Sequence, residues 1–346
     1  MAENFKNILI IKPSAIGDIV LALPALSALR RSFPDASITW LVRKEYAPVI
    51  KNHPYLNDII LFDRVLFGKA WCNIKALNAL TAFLRDIRRR RFDAVFDFQG
   101  LFRTAGLGWL TGSKKRFGMA NAREFAPLFY THKIASDKSS IHLVDFFLKI
   151  VQSAGASITE PEFVLPVEPS SDIAVKNLLK ANGIEPKKYV VLVPGSAHTD
   201  KSWPVENFAA LAKKISSQFD LNIVATGSPS EKLLTEKLAA LSSVKVFNLA
   251  GKTNLGELIA LLKYARLVIS NDTGPGHIAA ALGTPIVMII GRTNPARIAP
   301  YKKPDGAAAI EPFGRGDITD NYNPKYNIKN VTVEDVFKKV CSNLAS

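Results

Sequence analysis

Three short stretches of this chain hold residue types at spacings that could do chemistry. The densest is Ser270-Asn271-Asp272-Thr273-Gly274-Pro275-Gly276-His277. It follows an apolar run and precedes Ile278-Ala279-Ala280-Ala281-Leu282, which closes at Gly283. A helix starting there offers unpaired backbone N–H groups, and the positive end of its dipole, at Thr273 to Gly276. The glycines let a diphosphate come close to the backbone, so the chemistry would be phosphate or sugar binding. Asp272 and Thr273 are also good N-cap types, and a well-capped helix would account for them with no ligand. His277 favours the ligand, because an imidazole in the first turn beside a glycine-rich cap has little packing purpose.

The second stretch is Lys12-Pro13-Ser14-Ala15-Ile16-Gly17-Asp18. Asp18 stands where a first strand hands over to a first helix. It could cap that helix, or act as a general base that takes a proton from a hydroxyl. Ser196 and Lys201 occupy the matching loop of the second half. A lysine there could stabilise a diphosphate leaving group; the plainer reading is a surface lysine beside Asp200. Two nucleotide motifs are excluded. Gly251-Lys252-Thr253 lacks the glycine a P-loop needs five positions earlier, where Val246 stands. The first loop has one glycine, not the three of the dinucleotide fingerprint, which argues against a nicotinamide-dependent oxidoreductase. Metal is not supported: the five histidines have no ligand-like spacing, and Asp93 and Asp97 need not converge. Two cysteines far apart, Cys72 and Cys341, exclude a disulfide framework and fit a reducing compartment.

The elements that must position these residues alternate. Asn7–Ile11, Ser37–Val42, Asp58–Phe62 and Ala94–Phe98 read as strands, with a helical stretch over Asp18–Ser32 that Pro24 should kink or divide. A helix carrying Leu77, Leu80, Leu84 and Ile87 precedes the fourth strand. The pattern loosens around 155–187, where Pro161, Pro166 and Pro169 suggest a linker with one short helix near 172–182. It restarts at Tyr189–Val193, and Trp203-Pro204 opens a helix with Phe208, Leu211, Ala212, Ile215 and Phe219 on its buried face. Further strands are Asn222–Ala225, Val244–Leu249, Leu267–Ile269 and Pro285–Ile290. Repeated strand–helix alternation predicts parallel α/β sheets. Two similar halves are expected: a domain over 1–165, a linker region over 166–187, a second domain over 188–328, and a last helix in 329–346 that could pack on either. Ligands of such sheets sit at the carboxyl ends of the strands, where strand order reverses.

With 346 residues, 48% hydrophobic and 22% charged, the composition is that of a globular chain and excludes disordered, collagen-like and coiled-coil classes. The net charge of +15 is uneven: residues 1–160 hold 23 Lys and Arg against 13 Asp and Glu. That half should attract something anionic. The densest run, Arg88-Arg89-Arg90-Arg91 with Arg85 a turn earlier, could be a solvated helix end, where cations suit the dipole, or a contact with anionic lipid head groups. A non-catalytic nucleic-acid or membrane-surface binder is disfavoured because the charge is spread over many segments. No signal peptide or membrane span is read: the first apolar run is four residues, and the longest uncharged one, His277 to Gly291, is short and interrupted by Pro285. A cytoplasmic protein is expected.

Together these motifs spell a family. The chain resembles the ADP-heptose:lipopolysaccharide heptosyltransferases, glycosyltransferase family 9 with the GT-B fold. The markers are Ser14-Ala15-Ile16-Gly17-Asp18 with Leu23-Pro24-Ala25-Leu26; Asp97-Phe98-Gln99-Gly100-Leu101; Asp200-Lys201-Ser202-Trp203-Pro204; and Asp272-Thr273-Gly274 followed by His277. The segment Ala122–Tyr130 looks most like heptosyltransferase I. The resemblance implies two Rossmann-like α/β domains facing across a cleft and an inverting, metal-independent transfer of heptose from ADP-heptose to Kdo of the lipopolysaccharide inner core. Asp18 would be the catalytic base. Ser196 and Lys201 would contact the donor phosphates and Glu231 the ribose. Asp272 would hold the heptose, with Thr273, Gly274 and His277 at the diphosphate. On the acceptor side Ser14, Gly17, Arg64, Gln99, Arg103 and Arg123 would be engaged, the arginines facing the acidic Kdo sugars. No cofactor or metal is implied. The partners implied are ADP-heptose and a Kdo-lipid A-type acceptor at the cytoplasmic face of the inner membrane, with the protein a peripheral monomer and the last helix crossing back onto the N-terminal domain. Alternatives are a heptosyltransferase II-like activity or another GT-B enzyme with a different nucleotide sugar. Ala197 departs from the family, which usually has a second hydroxyl residue there.

Overall fold

The computed structural model describes residues 4–137, 141–316 and 319–345. The chain divides into two compact units, Met1–Pro166 and Val167–Ser346. The first holds strands β1 (Asn7–Ile11), β2 (Ser37–Arg43), β3 (Asp58–Phe62), β4 (Ala94–Asp97), β5 (Lys115–Met119) and β6 (His132–Ile134), with helices α1 (Ile16–Leu21), α2 (Leu23–Ser32), α3 (Arg64–Phe67), α4 (Ile74–Arg89), α5 (Phe102–Leu110) and α6 (Leu143–Gln152). All strand pairs are parallel, in the order β3-β2-β1-β4-β5-β6. β1 sits at the centre, so Ile8 to Ile11 are fully buried, which is why a run without alternation still forms a strand. Pro24 divides the first helical stretch as expected: α1 ends at Leu21 and α2 begins at Leu23.

Right-handed crossovers running in opposite directions from β1 place α2 on one face of the sheet and α4 and α5 on the other. The α2 face is covered by the chain's own segment 157–164. There Ser27 Oγ donates to the Glu162 carbonyl at 3.1 Å, Arg31 pairs with the Glu162 carboxylate at 3.2 Å, and the buried His53 Nε2 donates to the Val164 carbonyl at 2.9 Å. Burial outweighs that hydrogen bond and holds the His53 imidazole down at about 4. The α4 face is barer than its periodicity suggested. Ala76 and Ile87 are buried, but Leu77 is exposed and Leu80 and Leu84 are half-buried.

The second unit repeats the winding with β7 (Tyr189–Val193), β8 (Asn222–Ala225), β9 (Val246–Asn248), β10 (Leu267–Asn271), β11 (Ile286–Ile290) and β12 (Ala307–Ala309) in the order β12-β11-β10-β7-β8-β9. Its helices are α7 (Pro169–Ala181), α8 (Val205–Gln218), α9 (Lys232–Leu241), α10 (Leu255–Tyr264), α11 (Gly274–Ala281), α12 (Pro295–Ile298) and α13 (Val333–Ala345). Two boundaries differ from the sequence reading. The expected linker over 166–187 does not stand free: its short helix, read near 172–182, is α7, which buries Val175 and Leu179 and docks on α10 with a 2.6 Å hydrogen bond from Tyr264 to Asp172. The last helix, α13, which the resemblance implied would cross back onto the N-terminal domain, packs on α8 and β11 of its own unit. Val336, Val340 and Leu344 join Trp203, Phe208 and Ile215 in the second core, which uses up the apolar stripe of α13. No helix among the described residues is long and apolar enough to cross a membrane.

Candidate active site

In both units the strand order reverses beside the first strand, between β1 and β4 and between β7 and β10. The crevice at the carboxyl ends of those strands is where an open α/β sheet binds its ligand, and most of the sequence-predicted residues fall there. In the first unit Asp18 lies in the first turn of α1, half-buried, with Oδ2 3.1 Å from Lys12 Nζ. Lys12 is 3% exposed. It follows β1 directly, accepts at its carbonyl from Trp40 Nε1 (3.2 Å), and places its ammonium over the Phe147 ring. A buried cation with one carboxylate partner fixes where that carboxylate points. Ser14 and Gly17 lie on the same turn, and the Ser14 N–H donates to Gln99 Oε1 at 3.3 Å, tying the loop after β1 to the loop after β4.

The loop carrying Gln99 is organised by Asp97, the last residue of β4, wholly buried. Its carboxylate accepts from Tyr130 Oη (2.7 Å), Thr104 Oγ1 (2.9 Å) and the N–H groups of Gln99 (2.9 Å) and Gly100 (3.2 Å). Burial pushes its carboxyl up despite these donors. Gly100 has φ +68°, and a Cβ there would meet Met119 Cε at 2.6 Å, so the turn requires glycine. Arg64 and Arg103 border one groove of about 320 Å³ between α3, α4 and α5, floored by Leu80, Leu84 and Leu107. Arg123 is not on that groove; its N–H donates to the Gly100 carbonyl, beside Gln99.

In the second unit the loop after β7 carries Ser196 and Lys201, and the loop after β10 leads into α11. Lys201 is not the surface partner of Asp200, which pairs with Arg292. Its Nζ lies 2.7 Å from Asp272 Oδ2, while His277 Nε2 lies 3.5 Å from Oδ1. Burial would raise the Asp272 carboxyl, but the hydrogen bond from His277 and the charge of Lys201 outweigh it and hold the group well below the usual carboxylate range. Both Asp272 oxygens are thus engaged in orienting two cationic or donor groups. Thr273 is the N-cap of α11 with no side-chain cap bond, and Gly274 and Pro275 open the helix. Ser196 Oγ accepts from the His198 N–H. Glu231 reaches back toward this loop: a Cβ on Gly195 would lie 1.8 Å from Glu231 Oε1, while Oε2 accepts from the N–H and hydroxyl of Ser228.

Sequence reading quoted Asn271, Lys12 and Asp97 within its motifs but gave them no part in the site; they stitch these loops together. Asn271, fully buried, donates from Nδ2 to the Pro194 carbonyl (2.8 Å) and accepts at Oδ1 from the Trp203 N–H (3.1 Å). Lys12 and Asp97 do the same work in the first unit. Each is a polar residue ending or just following an apolar strand run, the one signal that would have marked it. Thr226, at the end of β8, keeps a buried Oγ1 without a hydrogen-bond partner in the turn that leads to Glu231. Among the described residues no group of three or more His, Cys, Asp and Glu could hold a metal ion.

Residues 80–312 match the profile of glycosyltransferase family 9 (heptosyltransferase). The chain belongs to that family. A family 9 heptosyltransferase is a glycosyltransferase, and known relatives extend the match over nearly the whole chain. It is 29% identical over 312 residues to the lipopolysaccharide core heptosyltransferase OpsX of Haemophilus influenzae, covering 89% of this chain and 85% of that one. It is 30% identical over 309 residues to lipopolysaccharide heptosyltransferase 1 of Campylobacter coli, covering 85% and 86%. Among solved structures, the Escherichia coli heptosyltransferase WaaC with ADP-2-deoxy-2-fluoro heptose superposes with a TM-score of 0.74 at 25% identity, over 97% of this chain and 99% of that one. A family 9 glycosyl transferase from Veillonella parvula shares the fold with a TM-score of 0.83. The heptosyltransferase is therefore α/β, of the GT-B kind, with two Rossmann-like units.

Proposed function

We propose that this heptosyltransferase moves heptose from ADP-heptose to a Kdo residue of the lipopolysaccharide inner core, with inversion, as a heptosyltransferase I-like enzyme. The observation that carries the reading is the pairing of two crevices: a carboxylate fixed by a buried lysine in the first unit, and a cation-lined helix tip in the second. They sit in a chain that WaaC, solved with a fluorinated ADP-heptose, matches from end to end. The first crevice would take the acceptor and the second the donor. Asp18 takes the proton of the acceptor hydroxyl, and that oxygen attacks the anomeric carbon from the side opposite the diphosphate. The bond from that carbon to the diphosphate oxygen breaks, and its electron pair leaves on ADP. Lys12 holds the Asp18 carboxylate in place. Lys201, His277 and the N–H groups at the tip of α11 receive the charge growing on ADP; each such donor contributes about 2.7–4 kcal/mol by analogy with an oxyanion hole. Glu231 takes the ribose hydroxyls, with Ser196 at the phosphates. Asp272 serves the sugar chiefly by ordering Lys201 and His277. Arg64, Arg103 and Arg123 match the carboxylates of the acceptor, with Ser14, Gly17 and Gln99 shaping its entry.

On this reading the enzyme works as a monomer at the cytoplasmic face of the inner membrane and needs no divalent cation, because Lys201 and the helix tip supply the neutralisation. Mass spectrometry of the product formed from ADP-heptose and a Kdo-lipid acceptor, with excess EDTA throughout, tests it. One heptose added to Kdo is expected, and none with Asp18→Asn although ADP still binds. A strict need for added cation, or normal turnover by Asp18→Asn, would overturn the mechanism.

A further inference from the structure

Exposed large hydrophobic side chains are not spread evenly over this protein. Among the described residues most of them lie between Leu61 and Leu128, on or beside α3, α4, α5 and the turn Ala126–Phe129. Trp71 is 87% exposed, Ile74 69%, Trp109 54% and Leu128 75%. Single exposed apolar residues are ordinary, but two tryptophans and several aliphatic chains on one face are not. The opposite face of the same sheet shows the contrast. Helices α1, α2 and α6 expose no large hydrophobic side chain, and segment 157–164 straps α2.

Charge follows the same asymmetry. Residues 58–130 hold thirteen Lys and Arg against six Asp and Glu. The acids are already engaged: Asp58 and Asp86 with Arg90, Asp63 with the Leu66 N–H, Asp93 with the N–H groups of Lys6 and Asn7, Glu124 with the Phe102 N–H, and Asp97 in its buried cluster. Among the described residues no ion pair joins Arg85, Arg88 or Arg89, on the last turns of α4, to an acid, although Asp93 lines the same cavity, and Arg88 donates to the Leu110 carbonyl. With Arg91 and Lys114 they line a cavity of about 850 Å³ at the foot of the sheet. α4, about 24 Å long, therefore has an apolar end at Ile74, with Trp71 in the turn before it, and a cationic end at Arg85 to Arg89. Tryptophan in the head-group layer with arginine on phosphates is the pattern of a surface-lying membrane contact.

We propose that the α3–α4–α5 face of the first unit docks on an anionic bilayer, with Trp71, Ile74 and Trp109 entering the interface and Arg85, Arg88 and Arg89 meeting lipid phosphates. The apolar end of α4 lies at the sheet edge that carries Asp18, because a helix between parallel strands starts at their carboxyl ends. An acceptor anchored in the bilayer would present its sugar there; this last clause rests on the proposed function, whereas the docking face does not.

The test uses the full chain with phosphatidylcholine vesicles, with and without phosphatidylglycerol. The protein has four tryptophans; Trp40 and Trp203 are buried, so quenching by brominated acyl chains reads Trp71 and Trp109. Binding and quenching are expected with phosphatidylglycerol vesicles. Replacing Arg85, Arg88 and Arg89 by Glu should weaken binding about a hundredfold, and Trp71→Phe with Trp109→Phe should remove the quenching while the thermal melt stays unchanged. Equal affinity for neutral vesicles, or binding without quenching, would overturn the proposal. So would sedimentation showing a dimer whose dissociation follows the same tryptophan changes, because a second copy would then own the face. Transfer to an acceptor stripped of its acyl chains keeps the two readings apart: the triple Glu variant should retain that activity and lose transfer to vesicle-borne acceptor. Vesicle binding with no transfer to either acceptor would sink the proposed function alone.

Discussion

Replacing Asp272 by Asn probes the second crevice most directly, because the substitution keeps the shape and removes the charge. The Asp272 side chain is 9% exposed and that of Lys201 24%. Breaking a fully buried ion pair costs about 3–5 kcal/mol, since the remaining charge is stranded. Lys201 is open enough for water to reach its ammonium, so the expected loss is smaller, about 1–3 kcal/mol, confined to the second unit. For a unit of this size that corresponds to a Tm drop of roughly 3–10 °C. The pH dependence has a definite sign. Asp272 titrates below its unfolded value of about 3.9. The stability it confers is complete above that pH and disappears only as pH falls toward the folded value. Differential scanning calorimetry of both proteins from pH 5 to pH 8 should therefore show a constant gap (roughly this whole window lies above the titration). In the same variant Lys201 and His277 lose their common anchor, and kcat/KM should fall about 10–100-fold, as expected when catalytic groups are misplaced. A gap that closes at pH 5, or a variant as stable and active as the parent, would refute the idea that Asp272 orders the leaving-group site.

Other perturbations reach different links. Gly195→Ala would drive a methyl group into the Glu231 carboxylate; an increased KM for the nucleotide sugar, with kcat nearly unchanged, is expected in steady-state kinetics. Asn271→Ala strands the Trp203 N–H and the Pro194 carbonyl inside the core and should cost about 2–4 kcal/mol in urea unfolding. Lys12→Met removes the partner that positions Asp18; kcat should fall about 10–100-fold while ADP affinity measured by calorimetry stays unchanged, as expected when a reacting group is misplaced. His53 is neutral when folded and titrates at about 4, against roughly 6.5 unfolded. The first unit should therefore lose about 3 kcal/mol as pH falls from 6.5 to 4, and a His53→Gln variant should lack that slope.

The centres of both sheets were legible because their strands are buried on two faces and so carry unbroken apolar runs, as in Asn7–Ile11 and Tyr189–Val193. The edges were not. β5 begins Lys115-Arg116, β6 is His132-Lys133-Ile134, and β12 is three alanines; none carries enough apolar side chain to announce itself. The site divides in the same way. Asp18, Lys201, Asp272 and His277 stood out because loops after strands concentrate chemistry. Asn271 and Asp97 act through partners 77 and 33 residues away, and no local pattern encodes such a reach. The periodicity of α4 counted Leu77 as inward because spacing alone does not say whether a neighbour covers it; none does.

Both halves wind their six strands in one and the same succession, each with its own reversal point and its own core. Such doubling makes the protein divisible. On the proposed function, a hybrid spliced at Pro166 and Val167 would carry one parent's handling of the alcohol and the other's handling of the nucleotide, with neither core repacked. Selection could likewise retune one half for a new glycan while the other continues to accept the same activated sugar.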